Sequence, residues 1–190
     1  MTPTPLPSAP SSPPFRVLIP HDQILRRTQE LARAIAAATP DEPPLFVAVL
    51  EGARPFARLL QKFVPGNLPV HEVRATSYAG TTSTGSVKIV TGADLPVRGR
   101  HVLLVEDIVD TGRTIDALCS HFLAGGAKTC RVASLLSKPA RRAVAVAIEF
   151  LGFEIPDEFV LGFGMDLDGR YRELADVVVY DAAVERAHRG

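Results

Sequence analysis

Two apolar runs, at 45–50 (LFVAVL) and 101–105 (HVLLV), place the strongest constraint on how this chain can fold. A strand that is apolar at successive positions is buried on both faces, which is typical of a parallel sheet covered by helices. Helical spacing of apolar residues predicts helices over 22–40, 53–64 and about 113–123, between and around these strands. Strands that alternate with helices predict an α/β domain with a mostly parallel sheet flanked by helices.

Weaker signals predict further strands and a small flap, or hood, beside the main sheet. The alternating stretch 70–76 is predicted to pair with 87–91 as a hairpin, and 132–136 repeats the pattern of a buried strand. Short apolar runs predict three more strands, at 144–150, 159–163 and 177–180.

The length of 190 residues predicts a single domain, which we place at 15–190. Residues 1–14 contain six prolines and no charged side chain. Such a segment buries too little apolar surface to offset the entropy of ordering it, so we expect a disordered tail ahead of the domain.

Composition and charge exclude several classes of protein. Lysine and arginine number 21, and so do aspartate and glutamate, whereas a general nucleic-acid binder draws its affinity from an excess of basic residues. No apolar run approaches the roughly 20 residues of a membrane helix, and no secretory signal precedes the domain. Cys119 and Cys130 are too few for a disulfide framework and match no zinc signature. We therefore expect a reduced, cytoplasmic protein without a nucleic-acid or membrane partner.

The stretch 102–115 (VLLVEDIVDTGRTI) carries the clearest chemical signal. An apolar strand brings Glu106 and Asp107 to the carboxyl edge of the sheet, where open parallel sheets bind ligands. Residues 110–114 are small and hydroxylated and open a helix, whose free N–H groups and dipole favour a phosphate group. The alternative is a solvated turn with Asp110 as the helix cap. That alternative fits either half of the stretch but not the whole.

The stretch 102–115 resembles the phosphoribosyl-pyrophosphate (PRPP) motif of the type I phosphoribosyltransferases. Over about 45–180 the chain resembles the branch of that family that acts on the 6-oxopurines hypoxanthine and guanine. The motifs that carry the resemblance are LEGA at 50–53, SYAGTTSTGSVKI at 77–89, GRHVLLVEDIVDTGRTI at 99–115, SLLSKPARR at 134–142 and LGFEIPDEFVLGFGMDLDGRYR at 151–172. The resemblance implies the type I fold and a Mg²⁺-dependent transfer of phosphoribosyl from PRPP to the base, with release of pyrophosphate.

The same resemblance assigns the sugar-phosphate contacts. It implies that Glu106 and Asp107 hold the ribose hydroxyls and that Asp110, near purine N7, is the general acid/base. The residues that it places around the 5′-phosphate are Asp110, Thr111, Gly112, Arg113 and Thr114.

Contacts to the base are assigned to residues further along the chain. The resemblance implies that Lys138 donates to the 6-oxo group, that Phe159 stacks on the purine and that the Val160 carbonyl meets its edge. Without the resemblance, Lys138 would be interpreted as a surface lysine and Phe159 as a core residue of a strand. The acids that the resemblance places at the magnesium site are Glu106, Asp107 and Asp166, of which Asp166 also belongs to the purine site.

On the pyrophosphate side the resemblance implies a tight loop at Glu51 and Gly52, with a cis peptide between Leu50 and Glu51. Many relatives carry lysine where Glu51 stands, so this position departs from the family pattern, and only its backbone N–H could serve pyrophosphate. The basic residues assigned to pyrophosphate are Arg142 and Arg172. Ser77 and Tyr78 match the start of a mobile loop that closes over the reacting groups, for which a surface hairpin is the alternative.

Two other functions are open at this point. One is the same fold with a preference for xanthine, because the sequence hardly constrains how the purine 2-position is recognised. The other, ranked lower, is a non-catalytic RNA-binding regulator of the same fold, which would show a basic face and lack the catalytic residues. The family resemblance also implies a homodimer or homotetramer.

Overall fold

A computed structural model of the chain describes residues 15–39, 42–66, 68–77, 87–91 and 94–189. The Pro-rich segment 1–14 and most of the predicted mobile loop lie outside these residues. No helix in the described ranges is long and apolar enough to cross a membrane.

A six-stranded sheet forms the centre of the domain, in the order β4-β3-β2-β5-β6-β7. All neighbouring pairs are parallel except β3 and β4, which form the predicted antiparallel hairpin. The strands are β2 (Leu45–Val49), β3 (Val70–Ser77), β4 (Val87–Thr91), β5 (His101–Val109), β6 (Thr129–Ser137) and β7 (Phe150–Glu154). The mostly parallel α/β sheet predicted from the apolar runs is therefore confirmed.

Helices cover both faces of this sheet, as its fully apolar strands require. They are α1 (His21–Ala38), α2 (Arg54–Phe63) and α3 (Arg113–Ala124). A fourth helix near the end of the chain, α4 (Ala182–Arg189), packs on the smaller sheet of the hood. Successive side chains of β5 point to opposite faces: Leu103 packs with α1 and α2, whereas Leu104 packs with Leu118 and Phe122 of α3. Leu103 and Leu104 both need apolar partners, so β5 is apolar on both faces from Val102 to Val105.

A second, three-stranded antiparallel sheet forms the hood, in the order β1-β9-β8. Its strands are β1 (Arg16–Ile19), β8 (Val160–Leu161) and β9 (Val177–Val179). The hood has a small core of its own around Leu161 and Tyr171. Hydrogen bonds also tie the hood to the N-terminus of α1, where the His21 N–H donates to Asp176 Oδ1 at 2.7 Å.

The strand predicted at 144–150 begins later in the structure, at Phe150, and strand β1 was not predicted. The run 144–150 becomes extended strand only at Phe150, because the Glu149 carboxylate, not a strand carbonyl, accepts from the Val132 N–H at 2.8 Å. Val146 and Ile148 instead pack against the core on the α3 side of the sheet. Strand β1 has only four residues and two of them are exposed, so its sequence shows no clear alternation.

Candidate active site

The acidic pair lies at the carboxyl end of the central strand β5. Glu106 is 7% exposed, and Asp107 turns toward the loop that follows β2. A Cβ atom on Gly52 would overlap Oδ2 of Asp107, so only glycine allows the loop this close to the carboxylate. The second carboxylate oxygen of Asp107 accepts from the Ile108 N–H at 2.9 Å.

Burial raises the pKa of the Glu106 carboxyl well above its usual range, and the neighbouring charge of Asp107 and a hydrogen bond to it add to the effect. A protonated Glu106 can donate to Asp107, which keeps two adjacent carboxyl groups compatible with burial. Ligands with hydroxyl groups or positive charge are the natural partners of such a pair.

The phosphate loop joins β5 to α3 and lines a cavity of about 220 Å³. Gly112 has a φ of 84°, and a Cβ there would press against the Val144 carbonyl, so both conformation and space require glycine. Behind the loop the Thr111 carbonyl accepts from the N–H groups of Ala143 and Val144, each at 3.0 Å. The predicted phosphate residues that line this cavity are Asp110, Thr111, Gly112 and Thr114, whereas Arg113 is exposed outside it.

A larger cavity of about 450 Å³ adjoins the first and runs between the main sheet and the hood. Lys138, only 6% exposed, follows β6 on one side of it. Phe159 lies on the hood side and is 52% exposed, although its ring also packs edge-on against Tyr180 at 5.7 Å between centroids. A buried cation facing an open aromatic ring can bind a flat polar heterocycle between them.

The opposite end of this cavity is lined by the loop after β2 and by a turn of the hood. The peptide bond between Leu50 and Glu51 is cis, as expected. Arg172 donates to the Gly164 carbonyl at 2.7 Å and lies 2.8 Å from Asp166 Oδ1. The same guanidinium lies 3.6 Å from Glu51 Oε2.

Glu51 is held by arginine side chains on both sides. Arg74 of β3 donates to Glu51 Oε1 at 2.5 Å, and this hydrogen bond and the charges of Arg74 and Arg172 lower the pKa of Glu51. The carboxylate therefore stands between two cations that could otherwise bind an anionic ligand.

The neighbouring arginines Arg141 and Arg142 point to different places, and only Arg142 was singled out from the sequence. Arg142 does not line the larger cavity, because its guanidinium turns behind the phosphate loop to Ser137 Oγ at 2.7 Å and the Val109 carbonyl at 3.4 Å. Arg141 lines that cavity instead, with Nε at 2.9 Å from Asp110 Oδ1. The sequence analysis missed Arg141, and adjacent arginines in one turn carry no signal that separates them.

Asp110 joins the two cavities, since it lines both. Its Oδ1 atom is buried and, despite the nearby Arg141, accepts no well-aligned hydrogen bond from any described residue. An oxygen of this kind is ready to accept a proton or an N–H from a ligand. Of the predicted mobile loop, Ser77 ends β3 and Tyr78 lies outside the described residues.

The donor set bears on the expected magnesium ion. Within the described ranges, no three His, Cys, Asp or Glu side chains are grouped closely enough to hold a metal ion by themselves. The carboxylates of Glu106 and Asp107 are nevertheless hard oxygen donors at one end of an open cavity. Mg²⁺ is commonly held by one or two carboxylates together with substrate phosphates and water, so these residues fit it.

Comparison with known proteins defines the class. Residues 18–168 match the family model of the phosphoribosyl transferase domain. The chain is 38% identical over 170 residues to the hypoxanthine-guanine phosphoribosyltransferase of Bacillus subtilis, covering 89% of this chain and 94% of that protein. The chain therefore belongs to the phosphoribosyltransferase family, and the predicted resemblance and fold class are confirmed.

Further comparisons place it in the hypoxanthine-guanine branch of that family. A crystal structure of a hypoxanthine-guanine phosphoribosyltransferase from Bacillus anthracis superimposes with a TM-score of 0.82 at 35% identity, covering 87% of this chain and 98% of that one. The bifunctional protein TilS/HprT of Listeria innocua is 41% identical over 160 residues. That match covers 84% of this chain but spans only a quarter, 25%, of the bifunctional protein.

Proposed function

We propose that this enzyme transfers the 5-phosphoribosyl group of PRPP to hypoxanthine or guanine, giving IMP or GMP and pyrophosphate. The observation that carries the proposal is the position of Asp110, which lines both the phosphate-loop cavity and the cavity lined by Lys138 and Phe159. A nucleotide spans such a pair of cavities with its phosphate in one and its base in the other. The family membership of the chain supports the same reaction.

In the proposed reaction, purine N9 forms a bond to C1 of the ribose while the bond from C1 to the pyrophosphate oxygen breaks. The electron pair of that bond leaves with pyrophosphate, and the ribose passes through a state resembling an oxocarbenium ion. Asp110 accepts the proton that purine N7 loses as N9 becomes bonded, which is general base catalysis. Its position between the two cavities supports this role.

Glu106 and Asp107 hold the ribose hydroxyls in the proposed complex. Their carboxylates, with that of Asp166, would also hold Mg²⁺. When bound, Mg²⁺ stabilises the negative charge of the departing pyrophosphate. Arg172 and Gly52 line the same cavity as Glu106 and Asp107, which supports their assignment to pyrophosphate. Arg142 donates to Ser137 behind the phosphate loop, which favours a role in holding that loop in place.

Lys138 selects the base in this proposal. Its ammonium group is buried, lies at the cavity wall, and is 3.9 Å from Asp157 Oδ1. A 6-oxo group accepts a hydrogen bond from it, whereas the 6-amino group of adenine presents donors to a group that can only donate. A buried donor without an acceptor costs about 1–3 kcal/mol, which disfavours adenine. Phe159 supplies the stacking surface.

The first prediction concerns Asp110→Asn. We expect kcat to fall by about 10²- to 10⁴-fold, because the amide cannot accept the proton, while PRPP binds almost unchanged. Steady-state kinetics with hypoxanthine and calorimetric titration of PRPP measure the two quantities. Full turnover in the variant would contradict the assigned role. The matched variant Asp157→Asn removes a nearby, more exposed carboxylate and should keep most of its kcat.

A panel of bases tests specificity with the unmodified enzyme. Product from hypoxanthine and guanine, but not from adenine, uracil or orotate, supports the proposal. Product from xanthine alone keeps the mechanism and changes the base, which is the first alternative. Folded protein that binds PRPP but forms no product with any base would favour the non-catalytic regulator, which an RNA-binding assay then tests.

The proposal extends to assembly and location. We propose a cytoplasmic homodimer or homotetramer, which the membership of the chain in the phosphoribosyltransferase family supports. Light scattering coupled to gel filtration measures the mass in solution, and a monomeric mass would contradict the assembly.

A further inference from the structure

Two thiols meet where α3 packs against the main sheet. Cys119 lies on α3 and Cys130 on the adjacent strand β6, and their sulfur atoms are 2.9 Å apart. These are the chain's two cysteines, and both are free. Neither has a part in the proposed transfer reaction.

The sulfur atoms are close enough to bond without rearrangement of the fold. A disulfide needs about 2.05 Å between its sulfur atoms, so an approach of less than about 1 Å suffices. Both thiols are held by packed elements, because α3 is anchored by Leu118 and Phe122 and β6 pairs with β5 and β7. Proximity of this kind replaces an encounter between two free thiols with an intramolecular step.

A cavity of about 230 Å³ is lined by both cysteines, and neither is fully buried, so a small oxidant can reach them. Val146 and Glu149 line the same cavity. The two thiols are also chemically unequal. A hydrogen bond from Cys130 lowers the pKa of the Cys119 thiol against the opposing effects of burial and nearby carboxylates, whereas the same contact raises the pKa of Cys130. Cys119 is therefore the one of the two thiols that loses its proton more readily, and the thiolate is the attacking species.

We propose that Cys119 and Cys130 form a redox-active dithiol, which hydrogen peroxide converts into an intramolecular disulfide. The Cys119 thiolate attacks one peroxide oxygen, the O–O bond breaks, and hydroxide leaves as Cys119 becomes a sulfenic acid. The Cys130 sulfur then displaces the sulfenic oxygen, which leaves as water as the S–S bond forms. Two thiols and one peroxide thus give one disulfide and two waters, and a dithiol reductant reverses the modification.

The disulfide would lie directly behind the proposed phosphate site. Ile115 lines both the thiol cavity and the phosphate-loop cavity. Val146 lines the thiol cavity and lies 3.3 Å from the place where a Cβ of Gly112 would be. The modification site is nevertheless separate from the ligand cavities, so bound PRPP leaves it open.

The test treats the full chain with about one to ten equivalents of hydrogen peroxide, then denatures it in an excess of alkylating reagent and weighs it. We expect a monomer about 2 Da lighter than the reduced chain, with no alkylated cysteine, and full alkylation after dithiothreitol. Added PRPP should not slow the reaction by more than about twofold.

Single-cysteine variants assign the roles of the two sulfurs. Cys130→Ser should accumulate a Cys119 sulfenic acid that reacts with dimedone, whereas Cys119→Ser should give little or no adduct. Two alkylated thiols after exposure to peroxide would overturn the proposal. A disulfide-linked dimer on a non-reducing gel, or a stable gain of about 32 Da on one cysteine, would overturn it equally. The test with the unmodified chain stands even if a variant fails to fold, and none of these outcomes depends on the transfer activity.

Discussion

Glu51 places a negative charge at the end of the cavity assigned to pyrophosphate, between Arg74 and Arg172. An incoming pyrophosphate competes with this carboxylate for the two guanidinium groups. Glu51→Gln should therefore lower the inhibition constant of pyrophosphate by about threefold to fivefold, which corresponds to the upper end of the strength of exposed ion pairs, about 1 kcal/mol. Product-inhibition kinetics measure the constant.

The control for this prediction is Glu72→Gln. Glu72 is an exposed carboxylate paired with Arg54 at 2.7 Å, on the same side of the sheet but outside the cavity. Its removal changes the net charge of the enzyme equally and should leave pyrophosphate inhibition within about twofold. Weaker pyrophosphate inhibition in the Glu51 variant would show that the carboxylate assists the ligand.

A second prediction at this scale follows from the buried Glu106. Its pKa is raised in the folded protein, so the native state binds this proton more tightly than the unfolded chain does. Stability from this group is fully present below the unfolded pKa of about 4.3, and it is lost as pH rises through the folded value. Glu106→Gln should remove this dependence, and the variant should exceed the wild type in unfolding free energy at pH 8 more than at pH 4.

Urea unfolding at several pH values between 4 and 8 measures this difference. Each pKa unit between the two states corresponds to about 1.4 kcal/mol. Glu30→Gln, which removes an exposed charge on α1, controls for the change in net charge. A stability difference between Glu106→Gln and wild type that is flat across the range would show that Glu106 is ionised in the free enzyme.

At the scale of the elements, the turn into α3 depends on one glycine, Gly112. Gly112→Ala faces both an unfavourable positive φ and the Val144 carbonyl, so the loop must shift. We expect a loss of about 1–2 kcal/mol in stability from the backbone conformation and a rise of at least about tenfold in the Kd of PRPP. Denaturant unfolding and calorimetric titration measure the two effects.

Gly99 offers a matched control for the backbone alone. Its φ is 70°, and a Cβ there would meet nothing within 4 Å. Gly99→Ala should therefore lose a similar amount of stability while the Kd of PRPP stays unchanged. Equal PRPP affinity in the two variants would show that the phosphate loop tolerates a side chain.

The sequence predicts elements in proportion to their burial. Strand β2 is buried at every position and β5 is buried from Val102 to Val105, so these residues must be apolar and the pattern is plain. Strand β1 pairs with a residue near the other end of the chain, Val179, and no local pattern carries information about so distant a partner. The run 144–150 is apolar because it packs on the core, not because it pairs, and apolarity alone cannot separate the two.

The same limit applies within the site. Glu106, Asp107 and Asp110 follow an apolar strand, so sheet geometry alone places them at a ligand-binding edge. Arg141 and Arg142 lie in one short turn, Pro139–Arg141 and the residue after it, where a rotation of the backbone decides which guanidinium faces the cavity. Which of the two side chains faces the cavity is decided by tertiary packing, and the local sequence does not reveal it.

At the scale of the whole molecule, the proposed nucleotide joins two separately built sheets. GMP at about 100 times its Kd should stabilise the enzyme by about 2.7 kcal/mol, which corresponds to a rise of about 5–10 °C in Tm. Phe159→Ala should reduce this rise, although the exposed ring contributes little to the stability of the free enzyme. Thermal unfolding with AMP is the control, and an equal rise with AMP would contradict the base selectivity assigned to Lys138.

The separation between the main sheet and the hood has a consequence for how such a protein can evolve. On the proposed assignment, the ends of β2 and β5 handle the sugar and its phosphates, whereas Phe159 and Val160 meet the base from the hood. Mutations at Phe159 and Val160 can therefore change how the base is held while the residues assigned to the sugar and its phosphates stay in place. Novel specificities become accessible through small, mutationally independent steps, and a lineage can explore them while the ancestral chemistry is conserved.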